Sequence, residues 1–349
     1  MHVHELELFA VEIPRSESRR PVRSLLVRVA SESGTEGWGE APPTWRVEEL
    51  SGRRDALLRA LEGRSAFDLE ELHRTPSLRR SPIRSGVEMA MWDMAGRVSG
   101  QPLCHLLGGC FRRRVPVAPR IESRDPEQVA RLADEASQQG FLGVVLELTG
   151  EASLDLSLAR AARESIGDRG ELRVDGGERL TLEAARDFCA ELEFENIGCL
   201  IDPVNTRQLH AIASLGRQTT MPLAVSRALA APSDVLAAVR CSAAALLVLS
   251  LETFGGILPV RKGTTIAEAA DVPVSLATGG SVGPTSAAML QLAAALPALA
   301  NANQCTSAQL ADSVLSEPPE LIDGMLSVPQ GPGLGVQVDR AKLDRYQIG

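Results

Sequence analysis

The sequence predicts an α/β protein built on a closed barrel of eight parallel strands, preceded by a smaller domain. Three observations carry that expectation. Apolar strand cores recur near Val115, Val144, Leu172, Leu200, Leu223, Leu246, Val272 and Ala300, about 25 residues apart, which is the spacing of a βα repeat with short loops. Between Glu171 and Arg227 three apolar runs each end in polar residues, Leu172 to Asp175, Cys199 to Asp202 and Pro222 to Arg227, separated by helical patterning over Thr181 to Leu192 and Thr206 to Leu215. No GxGxxG stands between a strand and a helix, which sets an open Rossmann sheet aside. Residues just past the carboxyl ends of neighbouring strands share one face, so Asp175, Asp202 and Arg227 are expected to look into one mouth.

Size and composition agree. A chain of 349 residues exceeds the usual single core, so one large domain with a smaller partner is expected. The apolar run from Ala287 to Ala300 is interrupted by Gln291 and Pro297 and is shorter than the roughly 20 residues that span a bilayer. No basic then apolar leader opens the chain, so the cytoplasm is the expected compartment and no membrane partner is expected. A net charge of -9 argues against a nucleic-acid surface. The short patches Arg19-Arg20, Arg79-Arg80 and Arg112-Arg113-Arg114 read as solvated surface or internal ion pairs. Six dispersed cysteines with no CxxC read as reduced core thiols, not as a disulfide frame or a zinc site.

In chain order, residues 3 to 12 alternate as a strand does, Ser24 to Ala30 is a second strand, and Gly37 to Glu40 begins a third after the turn Ser33-Gly34-Thr35-Glu36. Helices are predicted over about 47–62, 67–73 and 82–98, the last apolar on every face and therefore buried on more than one side. Gly100-Gln101-Pro102 stops it, and Leu103 to Gly109 holds a short second helix. Trp92 and Met89 are expected to pack this helix against the barrel, and His210 to be an ordinary helix histidine. Ile322 to Val338 reads as two short strand pieces around Pro329 to Gly335, returning to the small domain.

Four stretches resemble the enolase superfamily, in its mandelate racemase and muconate lactonizing enzyme branch: Leu26 to Glu40, Glu88 to Gly109, Phe254-Gly255-Gly256, and Asp323 to Val338. The resemblance implies a modified TIM-type (β/α)7β barrel with an α+β capping domain formed by the N- and C-terminal segments. The cap would occupy 1–112, the barrel 113–320, and a segment returning to the cap 321–349. It also implies abstraction of a proton α to a carboxylate, with the enediolate held on Mg²⁺, and a homo-oligomer. Such chemistry needs three carboxylates at adjacent strand ends for a hard ion and a lysine or histidine base across the substrate.

Matched residue by residue, the family's three metal positions fall on Asp175, Ile201 and Arg227, with Asp202 following the second. The strand 2 base positions fall on Val145 and Glu147 and the strand 6 lysine on Ser250. The only lysines are Lys262 and Lys342, and Ala277-Thr278-Gly279-Gly280 carries no histidine at the end of strand 7. No cofactor is therefore expected, with Asp175 the sole metal ligand should an ion bind. Arg227 is expected to pair with Asp175, with Glu147 or Asp202 as further partners. Two function classes remain open. One is a barrel that has left the family reaction and binds a small carboxylate through Arg227, Ser250, Arg120 and Thr278. The other is an altered isomerase or lyase using Asp175, Glu147 or Asp202 as acid or base. The loop from Pro14 to Pro21 would cover the site, by the same resemblance.

Overall fold

A three-stranded antiparallel sheet opens the chain, with β1 (Val3–Ile13), β2 (Val22–Ser31) and β3 (Glu36–Ala41) in sequential order. The computed structural model describes residues 2–15, 21–79, 81–205 and 209–348. The covering loop expected over Pro14 to Pro21 thus lies largely outside the described residues, as do Arg19, Arg20, Arg80 and the start of the helix expected from Thr206. Helix Arg84–Ser99 lies directly on β3. Two glycines permit that approach: a Cβ on Gly37 would fall 2.1 Å from the carbonyl oxygen of Ala90, and one on Gly39 2.0 Å from that of Gly86. As its sequence predicts, the helix is buried on several sides; Met89 packs into the barrel core while Met91 and Met94 fill the cap core.

The chain then enters the barrel. β4 (Arg114–Pro116) is a correction to the expected first barrel strand near Val115, because it pairs antiparallel with a strand of the tail. The barrel wall is a parallel sheet of β5 (Arg120–Ile121), β6 (Gly143–Glu147), β7 (Glu171–Asp175), β8 (Ile197–Ile201), β9 (Leu223–Val225), β10 (Leu246–Ser250) and β11 (Val274–Ala277), in sequential order. Parallel bridges Ala277 to Gln304 and Val117 to Asn303 close it, so the segment near Ala300 supplies the eighth wall position. Helices follow each wall strand but not the last, from Pro126–Gln138 to Pro284–Ala295. This is the modified (β/α)7β barrel. The strand expected near Val272 begins two residues later, after Asp271 in a left-handed turn (φ 54°) and Pro273.

Small residues fill much of the barrel interior, including Ala118, Cys199, Ala224 and Ala302. The space they leave takes Arg173, 2% exposed, whose guanidinium donates to Ser275 Oγ (3.1 Å), the Ala302 carbonyl (3.0 Å) and Glu171 (2.6 Å). The tail begins with β12 (Leu321–Ile322) and β13 (Met325–Ser327), a hairpin on β4 at the amino end of the barrel. Both expected tail strands therefore precede the Pro-Gly run. Within that run Leu334 N–H donates to Asp93 (2.8 Å), and beyond it Arg97 donates to the Val336 carbonyl (2.8 Å) and Ile348 N–H reaches Ala10 of β1 (2.9 Å), so the last segment packs on the cap. Among the described residues no helix is long and apolar enough to cross a membrane.

Three buried carboxylates hold these parts together. Glu40 on β3 accepts from Ser24 Oγ (2.7 Å), Ser281 Oγ (3.0 Å) and the N–H groups of Val282 (2.7 Å) and Thr285 (2.9 Å) at the start of helix Pro284–Ala295. Glu88 accepts from Ile257 N–H (2.7 Å) and Leu258 N–H (2.8 Å), which open helix Ile257–Glu268, and from Trp92 Nε1 (3.0 Å). Asp93 joins Trp38 N–H (2.9 Å), Arg97 and the tail. A buried carboxylate facing donors at a helix N-terminus is stabilised by both the hydrogen bonds and the helix dipole. Glu40→Ala leaves four donors without their acceptor and is expected to lower unfolding stability by about 3 kcal/mol, measured by urea unfolding. A loss under about 0.5 kcal/mol, the size of an ordinary surface change, would mean that cap and barrel are held by apolar packing alone.

Candidate functional site

The barrel's carboxyl end collects the expected site residues because the register is unbroken there: Glu147 lies beside Asp175, Asp175 beside Ile201, and Ser250 beside Ala277. Asp175 ends β7 and sits at the centre. Its Oδ1 accepts from Arg227 Nη1 (2.8 Å) and Gly177 N–H (2.9 Å); its Oδ2 accepts from Arg120 Nη2 (2.7 Å) and Arg227 Nη2 (3.2 Å). Asp175 is 4% exposed. Burial pushes its carboxyl up, but the hydrogen bonds and charges of Arg227 and Arg120 outweigh that and hold it below the usual carboxylate range.

Each arginine reaches a second carboxylate. Arg227 Nη1 also donates to Asp202 Oδ2 (2.9 Å), and Arg120 places Nε and Nη2 on Glu147 Oε2 (2.9 and 2.7 Å). Arg179 binds the other Glu147 oxygen and the Leu148 carbonyl (2.8 Å). The partner of Arg227 beyond Asp175 is thus Asp202, while Glu147 belongs to Arg120 and Arg179. Arg120, expected only as a ligand-binding group, is a member of the same network. Three guanidiniums and three carboxylates balance, as buried charges must.

Asp202 follows β8 in a left-handed conformation (φ 44°) that turns its side chain into the wall. It is fully buried, and it accepts from the N–H groups of Ser226 (2.8 Å) and Arg227 (3.0 Å). It orients the β9 end and Arg227 and does not line the cavity. Burial pushes its carboxyl up to about 6, against the pull of those donors.

Over this network lies a cavity of about 270 Å³ lined by Asp175, Ile201 and Arg227, by Arg15, Arg120 and Glu122, and by a hydroxyl-bearing wall that includes Ser226, Ser250, Thr253 and Thr278. The Arg227 side chain is 37% exposed, more than the 18% of Arg120. Thr278 Oγ1 is engaged with Thr306 Oγ1 (3.1 Å), and Ser250 Oγ donates to Glu252 (2.6 Å). Glu252, which also accepts from Gly279 N–H (2.8 Å), was not foreseen. Burial pushes its carboxyl up despite both donors. It lies two residues past the strand-6 base position, where only Ser250 itself invited attention. Arg179, four residues past Asp175, escaped notice for the same reason.

The sequence model described as the mandelate racemase / muconate lactonizing enzyme N-terminal domain matches residues 11–108, and the one described as enolase C-terminal domain-like matches residues 128–342. A chloromuconate cycloisomerase of Cupriavidus pinatubonensis is 28% identical over 338 residues, 93% of this chain and 91% of that protein. An N-succinyl-L-Arg/Lys racemase of Bacillus cereus is 24% identical over 78% of each chain. A putative sugar isomerase of Streptomyces coelicolor, solved without Mg, superposes with a TM-score of 0.89 at 28% identity, over 99% of this chain and 96% of that one. The muconate lactonizing enzyme of Pseudomonas putida shares the fold at a TM-score of 0.91, 22% identity and full coverage of both chains.

These matches correct the expectation that no cofactor belongs here. Both halves of the chain fall in a family whose reaction uses Mg²⁺, so Mg²⁺ is the ion the fold implies. The side chains at the three metal positions do not fit it as they stand: the Asp175 oxygens face guanidiniums, Ile201 has no donor atom, and Arg227 is a cation. Among the described residues no group of three or more His, Cys, Asp or Glu could hold a metal ion.

The two arginines occupy the Asp175 oxygens that an ion at this position would need. Removing both arginines (Arg120→Ala with Arg227→Ala) should tighten Mg²⁺ binding at least about tenfold by calorimetry, equivalent to about 1.4 kcal/mol; equal affinities would place the ion elsewhere. Asp202 gives a pH prediction. Its folded pKa of about 6 lies above the ordinary value near 4. Its stabilising contribution is therefore full below about pH 4 and lost as pH rises through about 6. Asp202→Asn should flatten the stability profile across that window by roughly 2 kcal/mol, read from urea midpoints; an unchanged slope would mean that Asp202 titrates normally.

Proposed function

Because the chain belongs to the mandelate racemase and muconate lactonizing enzyme branch of the enolase superfamily, we propose that its barrel mouth binds a small carboxylate and has left the family's lysine- or histidine-driven α-proton abstraction. The observation that carries this reading is the Arg227 guanidinium, fixed from behind by Asp175 and Asp202 and open to the cavity in front. A planar donor held rigidly in a closed hydrogen-bond network meets a carboxylate without losing further side-chain freedom. Arg15 lines the same cavity, and the wall hydroxyls of Ser226 and Thr253 can donate to the remaining carboxylate lone pairs or to ligand hydroxyls. The base positions hold Val145, Glu147 and Ser250; of these, Glu147 is bound by two arginines, which hold its carboxyl low against the opposing effect of burial. A carboxylate so stabilised is a weak base.

A second reading, an isomerase or lyase with a non-standard site, is favoured by Glu252. Burial raises its carboxyl pKa above the ordinary range, and its contact with Ser250 places this carboxyl at the edge of the cavity, as suits an acid–base group. The names of the relatives, cycloisomerases and a racemase among them, agree with that class.

Calorimetric titration with muconate, D-gluconate and their neutral amides tests the first reading. Carboxylates are expected to bind, with Arg227→Gln weakening them at least about tenfold, while the amides do not bind. Amides that bind as well as the acids would remove the arginine from recognition. Proton NMR of the bound acids in D₂O separates the two readings. No exchange at the α carbon is expected; exchange that Glu252→Gln abolishes would establish the second.

A further inference from the structure

Away from the mouth, the turn that carries the chain from the cap helix into the barrel holds two cysteines. Helix Leu103–Leu106 contains Cys104, which is 1% exposed, and the chain then reverses through Gly108 and Gly109, both with φ near the left-handed limit (122° and 123°). Gly109 N–H donates back to the Cys104 carbonyl (2.9 Å), which brings Cys110 over Cys104, and the two thiols lie close enough to perturb each other electrostatically. Cys110 is half-buried and also donates to the Arg112 carbonyl (3.0 Å). The Arg112 guanidinium is close enough to feel the Cys110 sulfur, while fixed to the carbonyls of Ala293 (2.5 Å) and Pro297 (3.1 Å) at the end of a barrel helix. A partly exposed thiol near a fixed guanidinium, with a buried second thiol close by across a tight turn, has the arrangement of an attacking and a resolving cysteine.

We propose that Cys104 and Cys110 form a redox-active dithiol, a modification site that a small-molecule disulfide oxidises to an intramolecular Cys104–Cys110 disulfide. The Cys110 thiolate attacks one sulfur of the small disulfide, forming a mixed disulfide and releasing one small thiolate. The Cys104 thiolate then attacks the Cys110 sulfur, closing the protein disulfide and releasing the second small thiolate. The two cysteine protons end on the two released thiols; the protein loses two electrons and the small disulfide gains them. Burial pushes the Cys104 thiol up to about 11, so the closing step is the slow one.

The bond would act at a junction. Cys104 N–H donates to Gln291 (2.9 Å), Phe111 N–H to the Ala294 carbonyl (2.7 Å), and Leu103 N–H to the Gly333 carbonyl (2.8 Å), so barrel helix, cap helix and tail meet at this turn. Oxidation covalently fixes the linker between them.

The native full-length chain is incubated with oxidised glutathione, quenched with iodoacetamide and read by intact mass and peptide mapping. The expected product has lost two hydrogen atoms, joins Cys104 to Cys110, and is restored by dithiothreitol. Its rate of closure should rise roughly tenfold per pH unit between about 7 and 9, following the thiolate fraction. Cys104→Ser should stop at a glutathione adduct on Cys110, and Cys110→Ser should leave Cys104 unmodified. A persistent adduct in the unchanged chain, a disulfide through any other cysteine, or both thiols remaining alkylatable would overturn the proposal.

Discussion

The carboxylates of Glu40, Glu88 and Asp93 fix how everything else is placed. Each sits in a strand or helix of the cap, each is buried, and each accepts hydrogen bonds from backbone N–H groups of another part of the chain. Because the acceptors are ionisable groups far from water, they are satisfied only when cap, barrel helices and tail all take their places. The close contact of helix Arg84–Ser99 with β3, possible only at Gly37 and Gly39, sets the position of two of the three. Arg15, just past the end of β1, lines the cavity at the mouth and is held there by a bridge to Leu310.

Beneath that cavity the same rule works at closer quarters. Asp175 meets two guanidiniums that come from opposite sides, one from β5 and one from the turn after β9. Neither arginine is held by Asp175 alone. Glu147 holds Arg120, and Asp202 holds Arg227 while bonding the backbone that carries it. The result is a pre-formed donor surface whose geometry does not wait for a ligand. Ser250 and Thr278, which the sequence offers as ligand groups, are engaged with Glu252 and Thr306, so they contribute to the wall through fixed hydroxyls.

Much of this was legible in the sequence for a physical reason. Buried parallel strands must be apolar and must end where the polar face begins, so the runs closing at Asp175, Asp202 and Arg227 revealed both the barrel and its mouth. Register then brought Arg227 onto Asp175. Side-chain reach was not legible. Whether Arg227 would extend to Asp202 or to Glu147 depends on the left-handed turn at Asp202, which no apolar pattern records. Arg179 and Glu252 sit in loops past the strand ends, where periodicity gives no signal. The misplaced first strand has a similar cause: Val115 has the apolar neighbours of a barrel strand, but its partner is the tail hairpin, more than half the length of the chain away. The cap carboxylates were hidden because an acid within an apolar helix, such as Asp93 in Met91-Trp92-Asp93-Met94, looks like a solvent-facing position until its donors are seen.

The alternating chain Glu147, Arg120, Asp175, Arg227, Asp202 also bears on how such a site can change over generations. Replacing any one member by a neutral residue removes a counter-charge from its neighbours in a partly buried place, and the cost falls on folding before any new function can appear. Drift by single steps is therefore disfavoured at these five positions, although each is an ordinary surface-type residue by composition. Substitutions that survive should arrive in compensating pairs, with arginine and acid exchanged together, so the mouth is inherited as a block while the hydroxyl wall around it is free to diverge residue by residue.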